Sequence, residues 1–311
     1  MSMRYTFPLT GNQQIDDLGH QYEKIIRNAS RGSLESKHTY AKAGARFVKW
    51  VQPEFKMQKL ANLSDKHLIA YAEHLKANGD SDKYIKNQLT ALRYIHEITP
   101  NTKFQLGDSA KINQEAGLGS TPNNKARDYD QSWARAELDK IVDLARDLHH
   151  PEYAKLMEIT YSTGCRLDEI CTLRRSQVEE ALRTGQLHLT NTKGGRLRDI
   201  PLSDRARDLL EDAIKDVPRG GYVFDMRGVP IHKFKKSIED FIYRHRDKFQ
   251  DPNRVNDPNR AQLHFHGLRH TYAQNYYIEL RDQGYSDRAA RQKVSDAIGH
   301  GRGEITFVYV A

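Results

Sequence analysis

The chain has little of what marks a secreted or membrane protein. Only two of its 311 residues are cysteine, Cys165 and Cys171. Two thiols cannot build a disulfide framework, and a reducing compartment is the natural setting for such a chain. No run approaches the roughly 20 apolar residues that cross a bilayer. Mean hydropathy is −0.80, and 29% of the residues are charged. The opening MSMRYTFPLTGNQQ lacks the apolar centre of a secretory signal. These absences make the cytoplasm the expected location, without membrane contact. No internal repeat and no low-complexity tract is present. No cluster of acidic residues stands ready to hold a pair of divalent ions, which argues against a two-metal nuclease.

What is present is length for two domains and an excess of positive charge. The formal net charge is +8, with an isoelectric point near 9.2. The excess is uneven. Residues 1–126 hold 18 Lys+Arg against 12 Asp+Glu, a net of +6, whereas residues 127–311 hold 31 against 29, a net of +2. A basic front half suits a polyanion, because neutralising phosphates releases counterions. A solubilising surface charge explains the same count.

The front half reads as helices. Apolar positions recur every three or four residues over Gln14–Ala29 (Ile15, Leu18, Tyr22, Ile25, Ile26) and over Leu34–Val51. Ser64 or Asp65 can cap a helix over Lys66–Ala77, ended by Asn78-Gly79, and Ser81 opens another that stops at Pro100. Lys42, Arg46, Lys49, Lys83, Lys86 and Arg93 lie on these helices, where they can track a phosphate backbone or simply be solvated. Residues 107–130 are rich in Gly, Asn, Ser and Asp and are expected to be a linker. The second half is mixed. Helices are predicted over Trp133–Leu148, Glu152–Ser162, Asp204–Lys215, Ile231–Lys248, His266–Gln283 and Ser286–Ile298. Strands are predicted over Leu187–Thr190 and Leu197–Leu202, joined by the turn Asn191-Thr-Lys-Gly-Gly195. The expected fold class is mainly α with a small antiparallel sheet in the second domain.

Four segments of the second half concentrate unusual polar residues. In STGCRLDEICTL, Gly164 breaks one helix and Arg166 stands at the start of the next, where backbone N–H groups and a guanidinium can both face an anion; Glu169 follows one turn later. Lys193 sits at the hairpin tip, able to donate a proton to a departing oxygen, though a solvated turn lysine is commoner. In HFHGLRHTYA, His266 and Arg269 share a helical face. His264, His266 and His270 also suggest zinc, but no acidic or cysteine ligand is near and Arg269 would set a cation beside the metal. In IGHGRGEITFVYVA, His300 follows a helix-ending Gly299, and Tyr309 lies near the end of the chain.

Each residue alone has a plain structural explanation; their order and company do not. Arg166, Lys193, His266 with Arg269, His300 and Tyr309 resemble the tyrosine recombinase (phage integrase) family, carried by TGCRLDEICTL, HFHGLRHTYA and IGHGRGEITFVYV. The resemblance covers the second half. The front half resembles the family's core-binding domain more loosely. It implies a helical, SAM-like core-binding domain over 1–110, a linker over 111–130 and a catalytic domain over 131–311, the two domains clamping DNA. It implies site-specific recombination through a covalent 3′-phosphotyrosine, with no metal and no nucleotide cofactor. In those roles Tyr309 is the nucleophile and Arg166 and Arg269 bind the phosphate oxygens. His266 and His300 hydrogen-bond the phosphate and help move the tyrosine proton. Lys193 is the general acid, and Glu169 supports the site by orienting His266 or an arginine. The implied partners are double-stranded recombination sites, a homotetramer assembled on them, and DNA-bending or directionality factors.

The chemistry asks for these residue types on its own account. A free tyrosine titrates near about 10, so a phenolate nucleophile needs cationic neighbours or a base. The extra negative charge of a phosphoryl transition state suits arginine forks. Only Val310 and Ala311 follow Tyr309, where many relatives have a further helix, so subunit coupling is expected to differ or the chain to be truncated. The rival readings are a DNA-binding relative that does not cut, and a type IB topoisomerase.

Overall fold

A computed structural model describes residues 5–30, 34–119, 130–190, 192, 195, 197–224, 228–257 and 262–300. The chain divides into two compact units, Met1–Pro122 and Asn123–Ala311. Lys193 and Tyr309 lie outside the described residues, as do residues 120–129 of the expected linker.

The first unit is helical because each apolar stripe is bounded by a cap. Helix α1 (Gln13–Arg27) starts at Asn12, whose side chain accepts from the N–H groups of Gln14 and Ile15. Helix α2 (Leu34–Phe55) packs on α1. It outruns its expected end at Val51, passing through Pro53, as Phe55 packs on Trp50 and on His67. Helix α3 (Asp65–Ala77) begins at Ser64, whose backbone N–H donates to His67 Nδ1. Helix α4 (Asp82–Ile98) is capped by Ser81. Leu18, Tyr22, Phe47, Val51, Leu68, Tyr71, Leu89 and Leu92 form the core.

The segment from Gly107 departs from the expected linker. Helix α5 (Ser109–Glu115) is capped by Asp108, and it buries Ile112 with Ala116 and Leu118 against the first unit. Cations hold the loop: Lys76 donates to the Gly117 carbonyl at 2.6 Å, Lys86 donates to that of Gly119, and Arg93 donates to that of Gly107 at 2.7 Å. Composition missed this because the anchoring groups lie on other helices.

In the second unit, α6 (Arg135–Asp147) and α7 (Pro151–Thr163) pack on one another. The five-residue α8 (Leu167–Cys171), then α9 (Arg175–Thr184), lead to strands β1 (Gln186–Leu189) and β2 (Arg198–Pro201). The strands pair antiparallel with Leu187 opposite Ile200. Helices α10 (Asp204–Ile214), α11 (Ile231–Phe249), α12 (Phe265–Asp282) and α13 (Asp287–Ala297) complete the unit. Helix α9 was not expected, since its basic and polar residues bury only Val178 and Ala181. Among the described residues, no helix is long and apolar enough to cross a membrane.

Helix α7 is the axis of this unit. It packs against α6, α10 and α12 and buries Leu156, Met157, Ile159 and Thr160. Its buried Glu158 accepts from Arg146 at 3.2 Å and from Arg205 at 2.9 Å, with Arg135 at 3.8 Å. Enclosing a carboxylate is costly unless such partners pair with it. The start of the unit is tied down in the same way. Trp133 stacks on Phe249 and donates to the His264 carbonyl, and Glu137 forms a buried ion pair with Arg254. The end of α7 therefore projects from a fixed frame.

Candidate active site

Helix α7 ends at Gly164, which takes the left-handed conformation at φ +63°. The turn needs glycine twice over. A Cβ would strain the backbone, and it would lie 2.3 Å from Cδ1 of Tyr272. This turn reverses the chain and sets Arg166 as the cap of α8. Glu169, one turn on, folds back: its Oε2 accepts from the Arg166 backbone N–H at 2.6 Å and its Oε1 from Arg166 Nη1 at 2.8 Å. The expectation that this N–H faces an anion is corrected here, because Glu169 takes it. Of the two partners expected for Glu169, it is an arginine that it bonds here.

Arg269 arrives from α12, where His266 and Arg269 occupy the first turns. The two differ in depth. His266 is exposed, while Arg269 is 1% exposed. Arg269 Nη1 donates to the Gly164 carbonyl at 2.8 Å, and Nη2 donates to the carbonyl of Ile298. That same Ile298 oxygen accepts from Arg166 Nη2 at 3.4 Å. Both arginine forks therefore meet at one acceptor oxygen, with Arg166 the more accessible at 21% side-chain exposure.

Ile298 ends α13, and Gly299 (φ +68°) turns the chain into half-buried His300. Burial, then the charges of Arg269, Arg166, Arg198 and His266, push His300 down to about 4. At neutral pH its imidazole is therefore uncharged, a ring that can accept a hydrogen bond through one nitrogen. Arg166, Glu169, Arg269 and His300 thus gather in one place from separate stretches of chain.

His264, His266 and His270, weighed above as zinc ligands, have other neighbours. Among the described residues, no three His, Cys, Asp or Glu side chains come together as metal ligands would. His264 Nδ1 instead meets Arg246 Nη2 at 3.3 Å, and His270 is buried with its ring edge-on to His266.

One built-in residue escaped the sequence reading. Arg198, at the start of β2, is 5% exposed and pairs with Glu169. Its signal was register: in β2 it shares the inward face with Ile200, a position where a charge is out of place. In the first unit, Lys42, Arg46 and Lys83 are exposed and Lys49 partly so. Arg46 bonds Gln88 at 2.9 Å, and Lys49 lies over the Phe7 ring. Lys86 and Arg93 are engaged by the Gly119 and Gly107 carbonyls, which weakens their expected role toward phosphate.

The chain is 23% identical over 314 residues to a tyrosine recombinase XerC of Bacillus pumilus (strain SAFR-032), covering 97% of this chain and 92% of that one. The fold is similar to that of the Tn1549 transposon integrase solved with transposon right end DNA. The TM-score is 0.59 at 15% identity, over 94% of each chain. It is also similar to a lambda integrase tetramer solved on a Holliday junction. Here the TM-score is 0.57 at 16% identity, over 92% of this chain and 76% of that chain. The model of the phage integrase family matches residues 133–311, more than half of the chain. The chain is a member of the phage integrase family.

Proposed function

We propose that the protein is a site-specific DNA recombinase that cuts and rejoins strands through a phosphotyrosine made by Tyr309. The reading follows from family membership and is carried most directly by the Ile298 carbonyl. That oxygen receives donors from Arg166 and Arg269 together, so the forks already converge on one acceptor. A phosphate oxygen carries more negative charge than a carbonyl and makes stronger hydrogen bonds to guanidinium. DNA entering the site would take over those donors.

In this scheme the Tyr309 oxygen attacks a backbone phosphorus and the bond to the 5′-oxygen breaks. The new 3′-phosphotyrosine ester conserves the bond energy, and the freed 5′-hydroxyl later reverses the step. Arg166 and Arg269 hold the non-bridging oxygens and favour the more highly charged transition state. His300, neutral at working pH, receives the tyrosine proton or hydrogen-bonds the phosphate beside His266. Lys193 supplies the proton to the leaving 5′-oxygen. Glu169 holds Arg166 in place.

The partner is double-stranded DNA. The first unit, with Lys42, Arg46, Lys49 and Lys83, contacts the backbone of the core site as the second unit cuts it. The working assembly is a tetramer on two recombining sites, supported by the tetrameric state of the lambda neighbour. Its substrate is the end of a mobile element, supported by the transposon integrase neighbour and the wording of the motifs. DNA-bending or directionality factors would set the direction.

A nicked suicide duplex bearing the element's end, incubated with wild-type and Tyr309→Phe protein, tests the reading. A DNA-linked protein band on a denaturing gel is expected for wild type alone. Tight binding with no band from either protein would leave a DNA-binding relative that does not cut. Relaxation of any supercoiled plasmid, whatever its sequence, would favour a topoisomerase.

A further inference from the structure

One buried charge of the site has no part in the scheme above. The Arg198 side chain is 2% exposed, and burial pushes its guanidinium below the usual value. Its Nη2 donates to Oε2 of Glu169, the oxygen that also accepts from the Arg166 backbone N–H. Its stem lies under the His300 turn, where a Cβ on Gly299 would come within 2.9 Å of Arg198 Cδ. A single side chain thus touches both the carboxylate that fixes Arg166 and the turn that delivers His300.

A purely stabilising role fits poorly. Buried ion pairs seldom improve on apolar residues of similar volume. Arg198 also leaves Nε and Nη1 buried without a hydrogen-bond partner among the described residues, which is costly for a guanidinium. A branched apolar residue at the head of β2 would fill the same inward position. The charge has an electrostatic use instead. Glu169 facing Arg166 alone would cancel much of its field. With Arg198 on the other side, the carboxylate is shared between two cations and Arg166 keeps positive charge to offer an anion.

We infer that Arg198 is a positioning residue for strand cleavage, holding Glu169 so that Arg166 keeps both its place and its charge toward the phosphate. The inference rests on the role given to Arg166 above.

The test measures single-turnover formation of the covalent complex on the suicide duplex, with equilibrium DNA binding alongside. Arg198→Gln, Arg198→Lys, Glu169→Gln and the double variant Arg198→Gln/Glu169→Gln are compared with wild type. Arg198→Gln is expected to cut about 10- to 100-fold more slowly at saturating DNA, while Kd moves by less than about threefold. Arg198→Lys restores part of the rate. The double variant is no slower than the slower single variant, because the two residues act as one unit. Wild-type rates from Arg198→Gln would overturn the inference, as would losses that multiply in the double variant. A rate loss matched by lost folded fraction in urea would overturn it too.

Should Arg198→Gln not fold, the double variant leaves neither charge buried alone and is compared with Glu169→Gln. Cleavage no slower than that of Glu169→Gln supports the inference, and a further loss overturns it. A wild-type chain that forms no covalent complex would overturn the recombinase reading and this inference together. Wild-type cleavage matched by Arg198→Gln would overturn the inference alone.

Discussion

Arg269 donates from Nη1 to the carbonyl oxygen of Gly164 at 2.8 Å. The arginine from α12 thereby holds the turn that presents Arg166, the arginine that caps α8. The two cations are coupled through backbone, and a change at the turn reaches both.

Gly164→Ala is the sharpest probe of that coupling. The φ of +63° and the 2.3 Å approach to Tyr272 both oppose a methyl group. The left-handed conformation alone costs an alanine about 1–2 kcal/mol, and the overlap with a buried ring adds to it. A loss of at least about 2 kcal/mol in urea unfolding is expected. Cleavage should fall further than the folded fraction does. Unchanged stability would mean that the turn relaxes freely and does not fix the arginines.

Much of this was legible in sequence and some was not, for physical reasons. Ser64, Ser81 and Gly164 announce helix ends because capping and left-handed turns are local chemistry. The motif order named Arg166, Glu169, Arg269 and His300, all of which the structure brings together. Arg198 stayed hidden because its meaning depends on Glu169, which reaches it across the fold. The helix within residues 107–119 stayed hidden because Lys76, Lys86 and Arg93 anchor it from α3 and α4. Lys193 and Tyr309 were named by motif order alone and lie outside the described residues.

Glu137 and Arg254 separate structure from chemistry. Arg254 Nη2 lies 2.9 Å from Glu137 Oε2, and the two side chains are 1% and 4% exposed. Glu137 also accepts from the backbone N–H groups of Ala134 and Asp251. Glu137→Ala strands a buried cation and should cost about 3–5 kcal/mol. Denaturant melts measure the loss, and cleavage per folded molecule should stay near wild type. A specific cleavage defect at full stability would assign this pair a catalytic part.

Lys42, Arg46, Lys49, Lys83, Lys86 and Arg93 should not behave alike on DNA. Exposed Lys42 and Arg46 can meet phosphate, whereas Arg93 is spent on the Gly107 carbonyl. Arg46→Gln should weaken binding across sequences and lower the salt slope by about 0.9 for each phosphate left without its cation. Arg93→Gln should instead loosen the α4–α5 region and leave the slope unchanged. Binding isotherms across a salt series would decide; equal slopes for the two variants would contradict the assignment.

His300 gives a pH dependence whose direction is fixed. Burial foremost, then the surrounding arginines and His266, lower it from 6.5 to about 4 in the folded chain. Between those values the unfolded chain binds a proton that the folded chain refuses. Stability is therefore full above about pH 6.5 and declines as pH falls toward about 4. Burial also lowers His67, His96 and His264, so the contribution of His300 is the difference between wild type and His300→Asn. That variant should show a shallower fall in urea midpoint over the same pH range. A phosphate held by Arg166 and Arg269 would offset their charge and raise the His300 pKa, so DNA binding near pH 5 should take up protons, about one per site at most. Equal pH slopes for the two proteins, or no proton uptake on binding, would remove His300 from the cationic cluster.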